Sequence, residues 1–208
     1  MTISKREDGL YWPDSDINGC YEWTNTELYT IDIVVETSVL RRSIIHAGGN
    51  VGSYALKFSN SFETVYVFEP NYENFKCLAL NTAEKENIFP FRSALGNTPG
   101  QISMVNTNSD NCGTFQVKGP GTIPLLTIDS LNLADVDCIH LDIEGYELPA
   151  LMGAIQTIKR CKPLLVVEWL NHGENYGWTK EDMINFLVNL GYTRMKQIGS
   201  DMMFKHES

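Results

Sequence analysis

Short apolar runs alternate along this chain with segments of helical periodicity. The runs that read as strands are SIIHA (43–47), TVYVFEP (64–70), IFPFRSAL (88–95), DCIHLDI (137–143) and PLLVVEW (163–169). The last run is almost wholly apolar, as expected for a strand covered on both faces. Repeated strand–helix units predict an α/β doubly wound sheet with right-handed crossovers. Because ligands bind such sheets beyond the carboxyl ends of the strands, the residues after each strand are the candidates for function.

Helices are predicted between these strands. Asn71 and Thr179 are suited to cap the helices that they precede, and Gly191 is suited to end the last one. The segment ELPALMGAIQTIKR after the fourth strand is predicted to form one helix, with its leucines on a single face.

Two stretches interrupt the alternation. Residues 96–127 are rich in Gly, Asn and Thr and contain the alternating runs QISMVN and TFQVK, which favour a β-hairpin-like insertion. Near the carboxyl end, YTRMKQ and DMMFKH flank a short Ile-Gly-Ser segment and predict an antiparallel hairpin. The simplest dinucleotide-binding sheet does not contain such a hairpin.

Charge and composition exclude several partners. Lys and Arg number 16 against 26 Asp and Glu, so the net charge is −10 and disfavours binding to extended nucleic acid. The sequence contains no run of about 18 apolar residues, the length that a membrane-spanning helix needs. The charged start MTISKREDGLYW does not resemble a signal peptide. The five cysteines are scattered without a CxxC pair, which argues against a disulfide framework or zinc site and for the reducing cytoplasm.

The first strand leads into the glycine-containing turn His46-Ala47-Gly48-Gly49-Asn50-Val51-Gly52. As G-x-G-x-x-G the run fails at Ala47, but Gly48 and Gly52 fit a looser nucleoside-binding turn. An ordinary strand-to-helix turn that binds no ligand has a similar sequence, so the glycines alone do not identify a binding site. Glu69 ends the second strand, 17 residues after Gly52, where a carboxylate can accept hydrogen bonds from both ribose hydroxyls. No arginine stands beside it to bind a ribose 2′-phosphate.

The later strand ends add polar groups. Ser93 and Ala94 leave room for a flat ring at the end of the third strand, and Ser93 is able to hydrogen-bond an adenine. Asp142 and Glu144 stand at the end of the fourth strand and point the same way in extended geometry, which suits a shared proton, hydroxyl or metal. Glu147 is assigned instead to the start of the next helix.

The histidines differ in what their positions predict. His172 lies in a polar loop after the fifth strand and is a candidate base or substrate ligand, although a surface histidine has the same pattern. His140, inside a strand, is assigned to the core, and His206 near the chain end is given no role.

Taken in order, IIHAGGNVGSYAL, VYVFEPNYENF, SALGN, IHLDIEGYELPALMGA and KPLLVVEW resemble the FkbM-type family of S-adenosylmethionine-dependent methyltransferases. The pairing of FEPN with DIEGYE carries more of this resemblance than the glycine turn. The resemblance implies the class I methyltransferase fold, a Rossmann-like, mostly parallel sheet of seven strands with a C-terminal antiparallel hairpin.

The resemblance also implies roles for single residues. His46, Gly48, Asn50 and Gly52 would surround the methionine part of the cofactor, Glu69 would hold the ribose, and Ser93 with Ala94 would lie near the adenine. Asp142 would lie beside the sulfonium. The family usually has Asp where this chain has His46; a neutral imidazole there still accepts a hydrogen bond, whereas a protonated one repels the cofactor's ammonium group.

The expected activity is therefore O-methylation of a hydroxyl on a sugar, a glycan or a related small molecule. We expect Asp142 or Glu144 to be the base, with His172 as competitor; a divalent metal on these carboxylates is an alternative, but no metal ligand is assigned. The rival functions are an NAD-dependent oxidoreductase and a catalytically inactive cofactor-binding module.

The strand–helix pattern and the family resemblance together predict an N-terminal extension, residues 1–30, and one methyltransferase domain, residues 31–208, with the insertion at about 96–127. The aromatic residues of the extension either cover the substrate site by stacking on a sugar or pack against the sheet. A homodimer is compatible with the sequence, which does not decide the oligomeric state.

Overall fold

The computed structural model describes residues 2–17 and 19–207; positions 1, 18 and 208, which fall in the two expected domain ranges, lie outside the described residues. The strands are β1 (Ile3–Lys5), β2 (Tyr11–Pro13), β3 (Ser43–Ala47), β4 (Thr64–Phe68), β5 (Ile88–Phe91), β6 (Ala94–Leu95), β7 (Gly100–Asn106), β8 (Phe115–Leu126), β9 (Val136–Leu141), β10 (Leu164–Glu168), β11 (Tyr192–Ile198) and β12 (Asp201–His206). The α-helices are α1 (Cys20–Thr37), α2 (Ser53–Phe58), α3 (Tyr72–Asn81), α4 (Glu147–Met152), α5 (Ile155–Cys161) and α6 (Lys180–Asn189). Short 3-10 helices cover Ile128–Leu131 and His172–Tyr176.

The central sheet has seven strands in the order β11-β12-β10-β9-β3-β4-β5. The five strands from β10 to β5 run parallel, whereas β12 is antiparallel to both β10 and β11. This arrangement confirms the predicted fold class, including the closing hairpin. The strand order reverses at β3 and β9, so the carboxyl ends of these two strands mark the switch point at which such sheets bind ligands.

Apolar side chains cover both faces of the sheet. On one face, residues of α4, α5 and α6 such as Leu151, Ile158 and Leu187 are fully buried. On the other face, Val34 of α1 and Phe58 of α2 pack against the sheet. Burial on both sides explains why the central strands are almost continuously apolar.

Two sequence-predicted elements are divided in the structure. The run IFPFRSAL is not one strand, because β5 ends at Phe91 and β6 leaves the central sheet to pair with β8. The helix predicted over ELPALMGAIQTIKR is broken into α4 and α5 at Gly153. A Cβ atom on Gly153 would lie 2.0 Å from the carbonyl oxygen of Gly96, so the chain turns here to let two backbones meet.

Residues 96–127 form most of a second, three-stranded sheet. Strands β7 and β8 pair antiparallel, and β6 joins β8 in parallel. This hairpin projects from the same edge of the central sheet as the ends of the parallel strands, where Met104, Phe115 and Val117 face a cavity.

The N-terminal segment is packed onto the domain. Helix α1 runs unbroken across residue 30, where the sequence placed a boundary. Trp12 is fully buried with Cys20, Val51 and Cys112, whereas 60% of Trp23 is exposed. None of the helices in the described chain combines the length and apolarity that crossing a membrane requires.

Helix α6 begins with a capping box that the sequence predicts at Thr179. The Thr179 hydroxyl accepts from Asp182 N, and the Asp182 carboxylate accepts from Thr179 N at 2.8 Å. We expect Thr179→Ala to lower the free energy of unfolding by about 1 kcal/mol, measured by urea denaturation. The exposed Thr98→Ala is the control, and an equal loss in both variants would contradict the assignment of the effect to the cap.

Candidate active site

A cavity of about 350 Å³ opens at the carboxyl edge of the central sheet. The ends of β3, β4, β9 and β10 form its floor, and α1 and the β7–β8 hairpin contribute to its walls. Of the residues proposed from the sequence, those that line it are Gly48, Asn50, Glu69, Ser93, Ala94, Asp142, Glu144 and His172. His46 and Gly52 do not line it.

The glycine turn after β3 lies directly against the end of β9. Asp142 N donates to the Ala47 carbonyl at 3.0 Å, which keeps the two strands paired to the edge of the cavity. Gly48 has φ +87°, and a Cβ atom there would lie 1.8 Å from the Asp142 carbonyl oxygen. The structure therefore requires glycine at this position for backbone contact between two strands.

Asn50 is fixed at the next corner of the turn. Its backbone N donates to Glu69 Oε2 at 2.8 Å, and its φ of 44° is in the left-handed region that Asn tolerates better than most residues. Its side-chain amide donates to Cys20 Sγ at 3.1 Å and accepts from Cys112 Sγ at 3.5 Å. All five cysteines are free thiols.

Glu69 is a buried carboxylate at the end of β4. It accepts from Asn50 N and from Asn71 N, the latter at 2.7 Å, and burial nevertheless raises its pKa to about 7. Each carboxylate oxygen has a second lone pair, so further donors such as hydroxyl groups can still bind it.

Besides His172 Nδ1, three buried polar atoms of residues that line the cavity have no hydrogen-bond partner in the described part of the chain. They are Ser53 Oγ, Asn74 Oδ1 and Ser93 Oγ. Buried polar groups without partners are rare in folded proteins and indicate a missing ligand or water. A nucleoside with donor and acceptor groups fits a wall of this kind, and Glu69 beside it fits a ribose.

Acidic groups crowd the opposite part of the cavity. Asp142 and Glu144 follow β9, and Glu168 ends β10 next to them with 7% of its side chain exposed. Burial and the Glu168 charge raise the pKa of Glu144 to about 7, and the same causes, with Asp201, raise the pKa of Asp142 well above its ordinary value. No lysine or arginine lies among the described residues that line the cavity.

His172 is the basic group of this cluster. Its Nδ1 lies 3.1 Å from Glu144 Oε2 and 3.7 Å from Glu168 Oε2. Glu168 raises the pKa of the imidazole, while burial opposes the rise. The structure thus brings Glu144 and His172 together, although they follow different strands.

The loop that carries His172 is held against the end of β9. The Gly145 carbonyl accepts from Trp178 Nε1 at 2.9 Å, and a Cβ atom on Gly145 would lie 2.5 Å from the His172 carbonyl. Glu144 itself has φ +57°, an unfavourable conformation for a residue with a side chain. Glu147 fastens the same loop from helix α4, where it accepts from Ile143 N and Gly145 N.

His46 is buried within the sheet. Its Nδ1 lies 3.1 Å from Nδ1 of His140, so one ring donates and the other accepts. Burial and the neighbouring His140 lower the pKa of His46 well below its ordinary value, so the ring is neutral at pH 7. The cavity wall nearby is formed by Tyr54, whose ring stacks on His46.

Sequence reasoning did not identify several residues of the cavity. Glu168 ends an apolar strand, and only its pairing beside β9 reveals that it faces the carboxylates after that strand. The hairpin residues Met104, Phe115 and Val117 reach the cavity through tertiary packing alone, and their alternating pattern in the sequence carries no signal of this position. Trp23 also lines the cavity; it is one of the N-terminal aromatic residues for which the sequence left two positions open, over the site or against the sheet.

Comparison with known proteins identifies the fold. The chain is similar to methyltransferase FkbM from Methylobacillus flagellatus KT, with a TM-score of 0.55 and 19% identity, over 82% of this chain and 46% of the other. This chain therefore spans about half of that protein. A SAM-dependent methyltransferase from Aquifex aeolicus matches with a TM-score of 0.53 and 13% identity, over 88% and 90% of the two chains.

A third similar structure is magnesium protoporphyrin IX methyltransferase from Synechocystis PCC 6803 with bound SAM. Its TM-score is 0.54 at 12% identity, and the match covers 92% of this chain and 85% of the other. No curated protein matches the chain. The model of the methyltransferase FkbM domain matches residues 46–194, more than half of the sequence. This chain has the class I methyltransferase fold and belongs to the FkbM methyltransferase family.

Proposed function

We propose that this protein transfers a methyl group from S-adenosylmethionine to a hydroxyl group of a sugar, a glycan or a related small molecule. The observation that carries the proposal is one continuous cavity. It joins a nucleoside-like wall, around Glu69 and Ser93, to a cluster of carboxylates around Asp142. A methyl donor and a hydroxyl acceptor need these two environments side by side.

The chain's own groups account for binding of the donor. Glu69 accepts hydrogen bonds from the ribose hydroxyls with its free lone pairs, and Ser93 Oγ binds the adenine beside Ala94. Gly48 and Asn50 contact the methionine part. The donor supplies a methyl group made electrophilic by a sulfonium. Asp142 provides the negative charge beside that sulfonium.

The acceptor end of the cavity favours an uncharged molecule. Its charged lining groups are carboxylates and His172, so a phosphorylated or acidic acceptor would meet repulsion. Trp23 and Tyr146 offer aromatic faces on which a sugar ring stacks. Of the aromatic residues of the N-terminal segment, Trp23 lines the cavity, whereas Trp12 packs in the core.

Positioning supplies much of the catalysis in this proposal. The cavity walls hold the acceptor oxygen in line with the methyl group, which converts an encounter into an intramolecular step. Asp142 or Glu144 accepts the hydroxyl proton as the new carbon–oxygen bond forms and the carbon–sulfur bond breaks. His172, paired with Glu144, is the alternative base. The raised pKa values of the carboxyl groups suit proton transfer near neutral pH.

Binding of the donor is the first test. We expect calorimetric titration to show saturable binding of S-adenosylmethionine and S-adenosylhomocysteine, and no binding of NAD. Glu69→Ala should weaken binding by about a hundredfold, since two hydrogen bonds to a charged group are lost. Glu63→Ala, an exposed glutamate just before the same strand, is the matched control. Binding of NAD, with no binding of S-adenosylmethionine or S-adenosylhomocysteine, would support an NAD-dependent oxidoreductase instead.

The affinity for S-adenosylhomocysteine should depend on pH through Glu69. Ribose hydroxyls stabilise the charged carboxylate, so binding below its pKa of about 7 releases a proton. Affinity should therefore fall as the pH decreases from 7 to 5.5, by up to about tenfold per unit. S-adenosylhomocysteine has no sulfonium, which limits the contribution of the other carboxylates. Glu69→Gln should bind weakly and lose this slope; an unchanged slope would contradict the assignment.

A turnover assay distinguishes a methyltransferase from a catalytically inactive cofactor-binding module. With ¹³C-methyl donor and a panel of neutral sugars and polyols, we expect a new methyl ether signal in NMR spectra of the acceptor. Asp142→Asn should reduce turnover by about a hundredfold or more and should retain binding of S-adenosylhomocysteine. Binding of the donor without any methylated product would support the inactive module, and methylation of nitrogen or carbon would contradict O-methylation.

A further inference from the structure

The carboxylates Glu144 and Glu168 and the imidazole of His172 converge on one point of the cavity. One donor atom from each lies within 4.8 Å of those from the other two. They come from the end of β9, the end of β10 and the 3-10 helix that follows. We propose that these three side chains bind a divalent metal ion beside the acceptor.

The distances match a shared ion. Donor atoms about 2.1 Å from one metal lie about 3.0 Å apart in octahedral and about 3.4 Å apart in tetrahedral coordination. His172 Nδ1 is 3.1 Å from Glu144 Oε2 and 3.7 Å from Glu168 Oε2. The donor atoms of Glu144 and Glu168 lie within 4.8 Å of each other, so a contraction around an ion would bring all three donors to bonding distance.

The hydrogen-bond geometry points the same way. Nδ1 of His172 is buried and, despite its nearness to Glu144, makes no hydrogen bond in the described part of the chain. Glu168 is more than nine-tenths buried on the cavity wall, and its Oε2 lies 3.7 Å from the same His172 nitrogen. The imidazole nitrogen thus lies between the two carboxylates, as expected for ligands directed at a common centre.

The negative charge of the cluster favours a cation. Asp142 adds a further carboxylate to Glu144 and Glu168, and His172 is the one basic side chain among the described cavity residues. Burying several like charges without a counter-charge is expensive, and a bound cation is a common compensation. Two carboxylates and one imidazole fit Mn²⁺ or another first-row divalent ion better than Ca²⁺, which takes oxygen ligands.

The ion would take part in the proposed methyl transfer, and its catalytic role rests on that proposed function. Three protein ligands leave coordination positions open for the acceptor's hydroxyl oxygen. Coordination would lower the pKa of that hydroxyl, and its proton would pass to Asp142 as the carbon–oxygen bond forms and the donor's carbon–sulfur bond breaks. The arrangement would also select acceptors with oxygen atoms placed to reach the ion.

Direct titration with Mn²⁺ tests the site without relying on turnover. Chelator-treated full-length protein is titrated with MnCl₂, and free Mn²⁺ is followed by electron paramagnetic resonance. We expect one saturable ion per chain. Glu168→Gln and His172→Ala should each weaken binding at least about tenfold. Glu174→Gln, exposed in the same 3-10 helix, is the matched control and should bind as the wild type does.

Binding of S-adenosylhomocysteine to the same proteins distinguishes the two proposals. Retained binding in Glu168→Gln and His172→Ala shows that the variants are folded and that any loss concerns the metal. If wild type binds S-adenosylhomocysteine but no Mn²⁺, or if both variants bind Mn²⁺ as wild type does, the metal site is wrong and the proposed function stands. If wild type binds Mn²⁺ but does not bind S-adenosylhomocysteine, the metal site is supported and the proposed function is overturned.

Discussion

The backbone of the glycine turn after β3 lies against the backbone at the end of β9, and the position of the whole site depends on this contact. Asp142 N bonds to the Ala47 carbonyl, and Gly48 has no space for a Cβ atom. The two central strands therefore remain paired up to the cavity and then diverge. One continues into the turn that carries Asn50, and the other into the loop that carries Glu144. Their divergence opens the cavity between a nucleoside-like wall and an acidic wall.

The two walls differ in how their charge is stabilised. Glu69 is buried but accepts two backbone N–H groups, which hold it in place with lone pairs free. On the acidic wall, Glu168 lies 3.7 Å from His172 Nδ1, which also faces Glu144. The carboxylate of the first wall is held in place before a ligand binds, although Ser53, Asn74 and Ser93 there keep buried polar atoms without a described partner. The second wall retains a charge imbalance, which a cation or a transferred proton would relieve.

The predictability of each element follows from the range of the interactions that specify it. Strands β3, β4, β9 and β10 were predictable because burial on both faces selects continuous apolar residues. The cap at Thr179 was predictable because its contacts are local. The break at Gly153 was not, since it depends on the carbonyl of Gly96, far away in sequence. The departure of β6 from IFPFRSAL likewise depends on pairing with β8.

The sequence by itself determined the fold class, the family resemblance and a set of residues at the strand ends that line the cavity, because parallel strands place the residues after them at one edge. Tertiary structure alone decided which of those residues meet. It paired Glu168 with Glu144 and His172 through the adjacency of β9 and β10, and brought Trp23 to the cavity. It also placed His46 against His140 inside the sheet rather than on the cavity wall. A strand's neighbours and the side of the sheet that each side chain faces depend on contacts between distant segments, which local sequence patterns do not encode.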